Sequence, residues 1–182
     1  MLYTGKGDTG TTTAFGCNQQ RISKSSELPE ALGTLDELNA YLGFVKMRAA
    51  DSERIGGIVR DIQETLFIIQ AEVAGADKRL REETIRQIET IIQDIEKEIT
   101  PLKGFSIAGG TELSALLDVA RTLARRAERR IIAVKEMHLR EISAETMTYM
   151  NRLSSLLFAL ARLANHLSGV AEETPHYGKV SM

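Results

Sequence analysis

The first residues with a composition suited to chemistry are the glycines and threonines of YTGKGDTGTTTAFG, residues 3–16. Glycine lets backbone N–H groups turn toward a ligand, and threonine adds hydroxyl donors, so this stretch has the groups of an anion-binding loop. It is not a P-loop, because Lys6 is followed by Gly7 and no buried strand precedes it. Taken alone, the same composition is also typical of a flexible amino terminus.

A second candidate is the run of arginines in DVARTLARRAERR, residues 118–130. Four side chains share one face of a helix built from this stretch: Arg121, Arg125, Glu128 and Arg129. Like charges four residues apart destabilise a helix, and Glu128 compensates the arginines only in part. The row therefore indicates either a solvated charged face or a site for phosphate or a buried carboxylate. Arg126 and Arg130 lie away from the row, where they could simply face water.

Three further residues interrupt the apolar pattern. Asp36 shares a helical stripe with small residues that permit a close neighbour, and a carboxylate buried there needs an arginine; an ordinary surface acid is the alternative. Asn151 is either a satisfied amide of the bundle or part of a polar site. In PLKGFSIAGG, residues 101–110, Phe105 either plugs the end of a bundle or presents an aromatic surface to an apolar ligand.

The elements that position these residues are predicted to be helices. Apolar side chains recur at spacings of three and four in five segments: Leu32–Val45, Ile55–Val73, Ile85–Ile99, Leu113–Val134 and Met147–Leu160. Helix-start signals are present at Ser26, Thr111 and Ser143. No alternating pattern is long enough to build a sheet. The sequence predicts an all-α, five-helix bundle with a glycine-rich leader, spanning residues 1–168, and a C-terminal tail over residues 169–182.

Composition narrows the classes of function. A chain of 182 residues is long enough for one domain with a real core, and a net charge of −2 gives no overall attraction for nucleic acid. The single cysteine, Cys17, forms no internal disulfide, which suits a reducing compartment. No apolar run reaches membrane-spanning length, and no signal-peptide core is present. We therefore expect a cytoplasmic protein without a nucleic-acid or membrane partner.

Six motifs in order carry a family resemblance. They are T-x-x-G-D-x-G-x-T from Thr4, a lysine at Lys24, G-x-x-D-E-L-N at 33–39, F-x-x-x-G-G at 105–110, A-R-x-x-x-R-R-x-E-R at 120–129 and N-R-L-S at 151–154. Over residues 3–165 the chain resembles the ATP:cob(I)alamin adenosyltransferases of the propanediol-utilisation type. The resemblance implies a five-helix bundle that assembles as a homotrimer, with active sites between subunits.

The resemblance also implies the reaction and its ligands. The 5′-deoxyadenosyl group of ATP moves onto cob(I)alamin, which is formed from four-coordinate cob(II)alamin, and the products are adenosylcobalamin and triphosphate. Mg²⁺ is expected on the ATP phosphates, with no metal ligands from the protein. An electron donor and a cobalamin-dependent enzyme are the implied partners.

Individual residues match the functional positions of the family. The ATP-binding matches are Thr4, Gly5, Lys6, Gly7, Thr12, Thr13, Lys24, Arg125, Arg126, Glu128, Arg129 and Asn151. Asp36 and Arg121 match an inter-subunit ion pair beside the site. Phe105 matches the aromatic residue that displaces the lower axial ligand of the corrinoid, with Gly109 and Gly110 beside it. The resemblance thus implies catalytic roles for Arg125, Phe105, Asp36 and Arg121.

The chain departs from the family pattern at three positions. Ala108 replaces a proline, Asp118 a histidine, and Ser155 an aspartate that often orders the site. These departures keep open an alternative function, an ATP-binding, non-catalytic relative that acts as a regulator or scaffold. A di-iron bundle is disfavoured because the only Glu-x-x-His motif, residues 173–176, contains a proline. An RNA-binding protein is disfavoured by the negative net charge and few aromatic residues.

Overall fold

The computed structural model describes residues 3–15, 20–102 and 104–176. Its five helices are α1 (Glu27–Arg48), α2 (Glu53–Ala74), α3 (Glu82–Glu98), α4 (Glu112–Glu136) and α5 (Ala144–Leu167). The predicted all-α bundle is confirmed. Cys17 and residues 177–182 of the predicted tail lie outside the described residues. In the described ranges, none of the helices combines the length and apolar character needed to cross a membrane.

The apolar stripes predicted from the sequence form the core between the helices. The α4 helix packs against α1 and α5, α2 packs against α1, and α3 packs against α5. Fully buried side chains come from all five helices and include Leu35, Leu38, Leu42, Ile62, Leu66, Ile95, Ile131, Met150 and Leu153. Because α4 is held on two sides, its polar residues are confined to the surface strips that remain, and these strips carry the candidate site.

All three predicted start signals lie at helix N-caps. The Thr111 hydroxyl accepts a hydrogen bond from the Ser114 N–H at 3.1 Å, and the Ser143 hydroxyl accepts one from the Thr146 N–H at 3.2 Å. Ser26 precedes α1 but caps none of its N–H groups. Its hydroxyl instead donates to the Ser23 carbonyl at 2.7 Å, which ties α1 to the segment before it.

A short hairpin that the sequence did not predict precedes α1. Strands β1 (Thr11–Thr13) and β2 (Arg21–Ser23) pair antiparallel, with Thr12 opposite Ile22. Three residues in each strand are too few to give a readable alternation of apolar and polar side chains. The hairpin fixes the position of the glycine-rich loop relative to α1.

The beginning of α5 is held by a buried carboxylate. Glu72, near the end of α2, is only 1% exposed. It accepts hydrogen bonds from the Ser143 N–H at 2.6 Å and from the Thr146 hydroxyl at 2.6 Å, and Arg79 lies 3.6 Å away. A carboxylate at a helix N-terminus satisfies free N–H groups and complements the helix dipole. This contact joins α2 to α5.

We expect Glu72→Gln to lower the free energy of unfolding by about 2 kcal/mol, because the amide nitrogen cannot accept from the donors that the carboxylate oxygens satisfy. Urea unfolding followed by circular dichroism measures the change. Glu64→Gln is the matched control, since Glu64 lies on the same helix and forms an exposed pair with Arg60. Equal stabilities for the two variants would contradict the assignment.

Candidate functional site

The N-terminal loop, residues 3–13, consists of turns over residues 5–10 followed by strand β1. The Asp8 N–H donates to the Gly5 carbonyl at 3.2 Å, and the Gly10 N–H donates to the Gly7 carbonyl at 3.1 Å. Gly5 and Gly10 have φ angles of 66° and 75°, in the left-handed region that favours glycine. The glycines are therefore needed for the shape of the loop.

Arg21 fastens this loop from β2. Its Nη2 donates to the Lys6 carbonyl and, at 2.7 Å, to the Thr11 carbonyl, while its Nε donates to the Thr11 hydroxyl at 2.8 Å. In a trans peptide the N–H points opposite to the carbonyl, so the Gly7 N–H points away from the Lys6 carbonyl that Arg21 binds. Arg21 was not among the predicted site residues, because nothing in the sequence pairs it with residues ten and fifteen positions earlier.

Lys24, one of the predicted ATP-binding residues, lies directly against the loop. Its backbone N–H donates to the Gly10 carbonyl at 2.9 Å. A Cβ atom on Gly7 would lie only 2.9 Å from the Lys24 ammonium, so the missing side chain makes room for that charge. Thr4 contributes its hydroxyl as acceptor for the Lys6 N–H at 3.4 Å. The two remaining predicted residues, Thr12 and Thr13, belong to β1.

A second group of predicted residues lies where α4 faces α5. The Asn151 side chain donates to the Glu128 carboxylate at 3.1 Å, and the Arg129 guanidinium donates to the Arg125 carbonyl at 3.0 Å. Arg125 and Arg129 are exposed. The structure thus brings four predicted ATP-binding residues together on one surface.

Arg126 and Arg130, the two arginines outside this row, form ion pairs that join α4 to α1. Arg126 forms an ion pair with Glu37. Arg130 lies 3.5 Å from Glu27 and 3.4 Å from Glu30. Within the protomer, the predicted ATP-binding residue Arg126 therefore pairs with α1, whereas Asn151 pairs with Glu128 of α4.

Phe105 is presented to solvent and does not plug the bundle. Its side chain lies in the Phe105 loop, residues 104–110, and is 80% exposed. The loop borders a cleft of about 460 Å³ whose other walls include Arg121, Arg125, Ser154, Ser155 and Phe158. The Arg121 guanidinium carbon lies 5.9 Å from the centre of the Phe158 ring, within the range of a cation–π contact. An aromatic surface and two cationic side chains therefore border one open cleft.

The carboxyl end of the Phe105 loop is held by Asn165 of α5. The Asn165 amide donates to the Gly109 carbonyl at 2.8 Å and accepts from the Thr111 N–H at 2.9 Å. Gly109 and Gly110 have φ angles of 117° and 106°. A Cβ atom on Gly110 would lie 2.5 Å from the Asn165 side-chain oxygen, so only glycine fits there. Asn165 was missed in the sequence, where it reads as one more polar residue at the end of a helix.

Asp36 is exposed in the protomer. No ion pair of Asp36 is found among the residues that the structure describes. Arg121, which is predicted to pair with Asp36 across a subunit interface, donates its Nε to Asp118 at 3.1 Å within the protomer. Asp118 is only 8% exposed, so this departure from the family pattern supplies a carboxylate to the arginine row.

Metal ligands are not clustered in the described parts of the chain. Within these ranges no group of three or more His, Cys, Asp or Glu side chains is arranged to hold a metal ion.

Comparison with known proteins identifies relatives over most of the chain. The sequence model of the family described as cobalamin adenosyltransferase matches residues 2–164. The corrinoid adenosyltransferase PduO of Salmonella typhimurium is 40% identical over 169 residues, which cover 88% of this chain and 48% of the relative. The corrinoid adenosyltransferase of Bacillus subtilis is 36% identical over 178 residues, covering 94% and 90%. The chain thus spans about half the length of the PduO relative.

Solved structures share the fold. A variant of the PduO-type ATP:corrinoid adenosyltransferase from Lactobacillus reuteri, in complex with cobalamin and ATP, is similar with a TM-score of 0.89 at 30% identity and covers 98% of both chains. Another variant of that enzyme, in complex with ATP, gives a TM-score of 0.88 at 30% identity and covers 96% of this chain and 100% of its own.

The role of Arg21 in shaping the N-terminal loop is testable without a ligand. We expect Arg21→Ala to speed hydrogen exchange of the Asp8, Gly10 and Lys24 amides about tenfold, because the loop loses the donors that hold its carbonyl groups. Hydrogen exchange followed by mass spectrometry measures this effect. Arg60→Ala, which removes an exposed arginine of α2, is the control. Unchanged exchange in Arg21→Ala would show that the turns hold the loop unaided.

Proposed function

The chain belongs to the cobalamin adenosyltransferase family, and we propose that it transfers the 5′-deoxyadenosyl group of ATP to cob(I)alamin, giving adenosylcobalamin and triphosphate. The observation that carries this proposal is the cleft beside Phe105, where an exposed aromatic ring meets Arg121 and Arg125. An apolar surface suits the face of a corrinoid, and arginine suits phosphate oxygens. The five-helix fold resembles that of the Lactobacillus reuteri variant solved with both cobalamin and ATP.

Two groups of residues are proposed to bind ATP. The first is the N-terminal loop with Lys24, where Thr4, Gly5, Lys6, Gly7, Thr12 and Thr13 offer N–H and hydroxyl donors and Lys24 offers an ammonium group. The second is the α4–α5 surface, with Arg125, Glu128, Arg129 and Asn151. Arg126 is retained as a binding residue only if it leaves Glu37 when ATP enters. Neutralising the triphosphate makes it a better leaving group.

The cleft is proposed to hold the corrinoid, with Phe105 against its lower face and Gly109 and Gly110 shaping the loop. Removing the lower axial ligand from cob(II)alamin lets a one-electron donor reduce it to cob(I)alamin. The cobalt lone pair then attacks C5′ of ATP, a Co–C bond forms, and the C5′–O bond breaks with its electron pair leaving on triphosphate. The protein supplies alignment, exclusion of the axial ligand and charge neutralisation.

The other ligands and partners follow from this chemistry. We propose that Mg²⁺ enters on the ATP phosphates. The reaction needs a one-electron reductant as a partner, and an enzyme that uses adenosylcobalamin consumes the product. We place the reaction in the cytoplasm, the compartment expected from the sequence.

A homotrimer is proposed because, among the described residues, no hydrogen bond or ion pair within a protomer joins the two groups of ATP-binding residues. Neither strand of the hairpin packs extensively on α4 or α5. A neighbouring copy that brings its own N-terminal loop to the α4–α5 surface completes the site. Exposed Asp36 then meets Arg121 of the neighbour, since both Nη groups of Arg121 are without a partner in the described residues.

The first test is anaerobic. The protein is mixed with ATP, Mg²⁺ and chemically reduced cob(I)alamin, and adenosylcobalamin is followed by its visible spectrum. We expect Arg125→Ala to lower the rate about a hundredfold, because one donor to the departing triphosphate is lost. Arg86→Ala, an exposed arginine on α3, is the matched control and should retain the wild-type rate.

The outcomes separate the proposal from its alternative. Product formation that depends on Arg125 supports the transferase. ATP binding by calorimetry without any product would favour a non-catalytic regulator or scaffold, and would assign the loss of turnover to the departures at Asp118 and Ser155. If the protein neither binds ATP nor forms product, both proposed functions are overturned.

The trimer makes a separate prediction. We expect Asp36→Arg to shift the sedimentation-equilibrium mass from three chains toward one, because it places like charges at the interface in place of an ion pair. Glu64→Arg changes an exposed acid of α2 by the same charge and should leave the mass unchanged. A wild-type protein that sediments as one chain at micromolar concentrations would contradict the proposed assembly.

A further inference from the structure

Asp118 is a nearly buried carboxylate with no assigned role in the proposed reaction. Its side chain is 11% exposed, and it lies one helical turn before Arg121 on α4. We propose that Asp118 is a positioning residue that holds Arg121 and the Phe105 loop in one arrangement, and so sets the shape of the corrinoid cleft. The inference rests on the proposed function.

Each carboxylate oxygen of Asp118 faces a different part of the site. Oδ1 accepts from Arg121 Nε at 3.1 Å, and Oδ2 lies 3.4 Å from the Gly109 N–H. The second contact is long, but its acceptor is charged, which strengthens it. One side chain thus touches both the arginine on one wall of the cleft and the loop that forms another.

Binding through Nε determines where the rest of Arg121 points. A guanidinium is a rigid planar fork, so fixing Nε fixes the directions of both Nη groups. With Asp118 on one edge, the other edge of the fork stays available, and the carbon at its centre lies 5.9 Å from the Phe158 ring. Asp118 therefore orients Arg121 while leaving its Nη donors available for the proposed pair with Asp36 of the neighbouring copy.

Gly109 is a suitable point of attachment because it is otherwise firmly held. Its carbonyl accepts from the Ser114 hydroxyl at 3.0 Å and from the Asn165 amide at 2.8 Å. Asp118 adds a contact on the N–H side of the same residue. Phe105 is four residues away in the same loop, so its direction depends on this attachment.

Charge gives a second reason for the carboxylate. Arg121 and Arg125 are four residues apart and border the same cleft, where like charges repel. The Arg121 side chain is only 29% exposed, and a partly buried charge needs a partner. A neutral histidine at residue 118, the common family residue, accepts through one nitrogen only and leaves one of the two donors unpaired.

The test compares Asp118→Ala and Asp118→Asn with the wild type. We expect Asp118→Ala to raise the KM for the corrinoid about tenfold and to leave the KM for ATP within about twofold, as the loss of a charged hydrogen-bond acceptor predicts. Electron paramagnetic resonance of cob(II)alamin with ATP present should show less of the four-coordinate form. Asp118→Asn keeps one acceptor without the charge and should fall between the two.

A double-mutant cycle separates positioning from general stability. If Asp118 acts through Arg121, then Asp118→Asn should add little to the effect of Arg121→Gln on the corrinoid KM. Asp94→Asn is the control, because Asp94 also pairs with a cation three residues later, Lys97, and both side chains are exposed on the surface of α3. Melting temperatures identify any variant that is merely unfolded. If Asp118→Ala is unfolded, the result for Asp118→Asn, which matches the shape of aspartate, decides whether Asp118 has the positioning role.

The outcomes distinguish this inference from the function on which it rests. No product from the wild-type protein would overturn both. If the wild type turns over, three results would overturn the positioning role alone. They are equal rises in the KM for corrinoid and for ATP in the Asp118 variants, additive effects in the double-mutant cycle, and no change in either Asp118 variant. A corrinoid-specific, non-additive effect supports it.

Discussion

Neutralising the charge of α4 is the constraint on which the site depends. The helix is packed between α1 and α5, yet its sequence carries five arginines within ten residues. Four carboxylates, one on α4 and three on α1, pair with three of them: Asp118 with Arg121, Glu37 with Arg126, and Glu27 and Glu30 with Arg130. Arg125 and Arg129 have no carboxylate partner among the described residues. The unpaired positive charge is thus concentrated at the surface where a triphosphate is proposed to bind.

In the N-terminal loop, the main constraint is the orientation of the backbone N–H and carbonyl groups. A loop that binds anions must present N–H groups and direct its carbonyl groups elsewhere. Arg21 binds two of these carbonyl groups, and the glycines allow the turns that this arrangement needs. Because Gly7 has no side chain, the Lys24 ammonium lies against the backbone and not above a methyl group.

The helices could be predicted because their signal is local and repeated, and the caps at Thr111 and Ser143 because their geometry spans four residues. The anchoring residues could not. Asn165 holds Gly109 across 56 positions, and Glu72 holds Ser143 across 71, so neither contact leaves a pattern in the sequence. The order of motifs predicts which residues form the candidate site, whereas the exposure of Asp36 depends on how the helices pack.

Anchoring at both ends makes α5 the element that relates the two halves of the site. Its first turn is bound by Glu72, and its last turns bind the Phe105 loop through Asn165. Between them, Asn151 contacts Glu128 on α4, and Ser154 borders the cleft. A displacement along the axis of α5 would move the loop, the cleft wall and the Asn151 amide together. Buried hydrogen bonds at both ends oppose that displacement, which lets an exposed aromatic residue on a loop keep a defined position relative to the arginines.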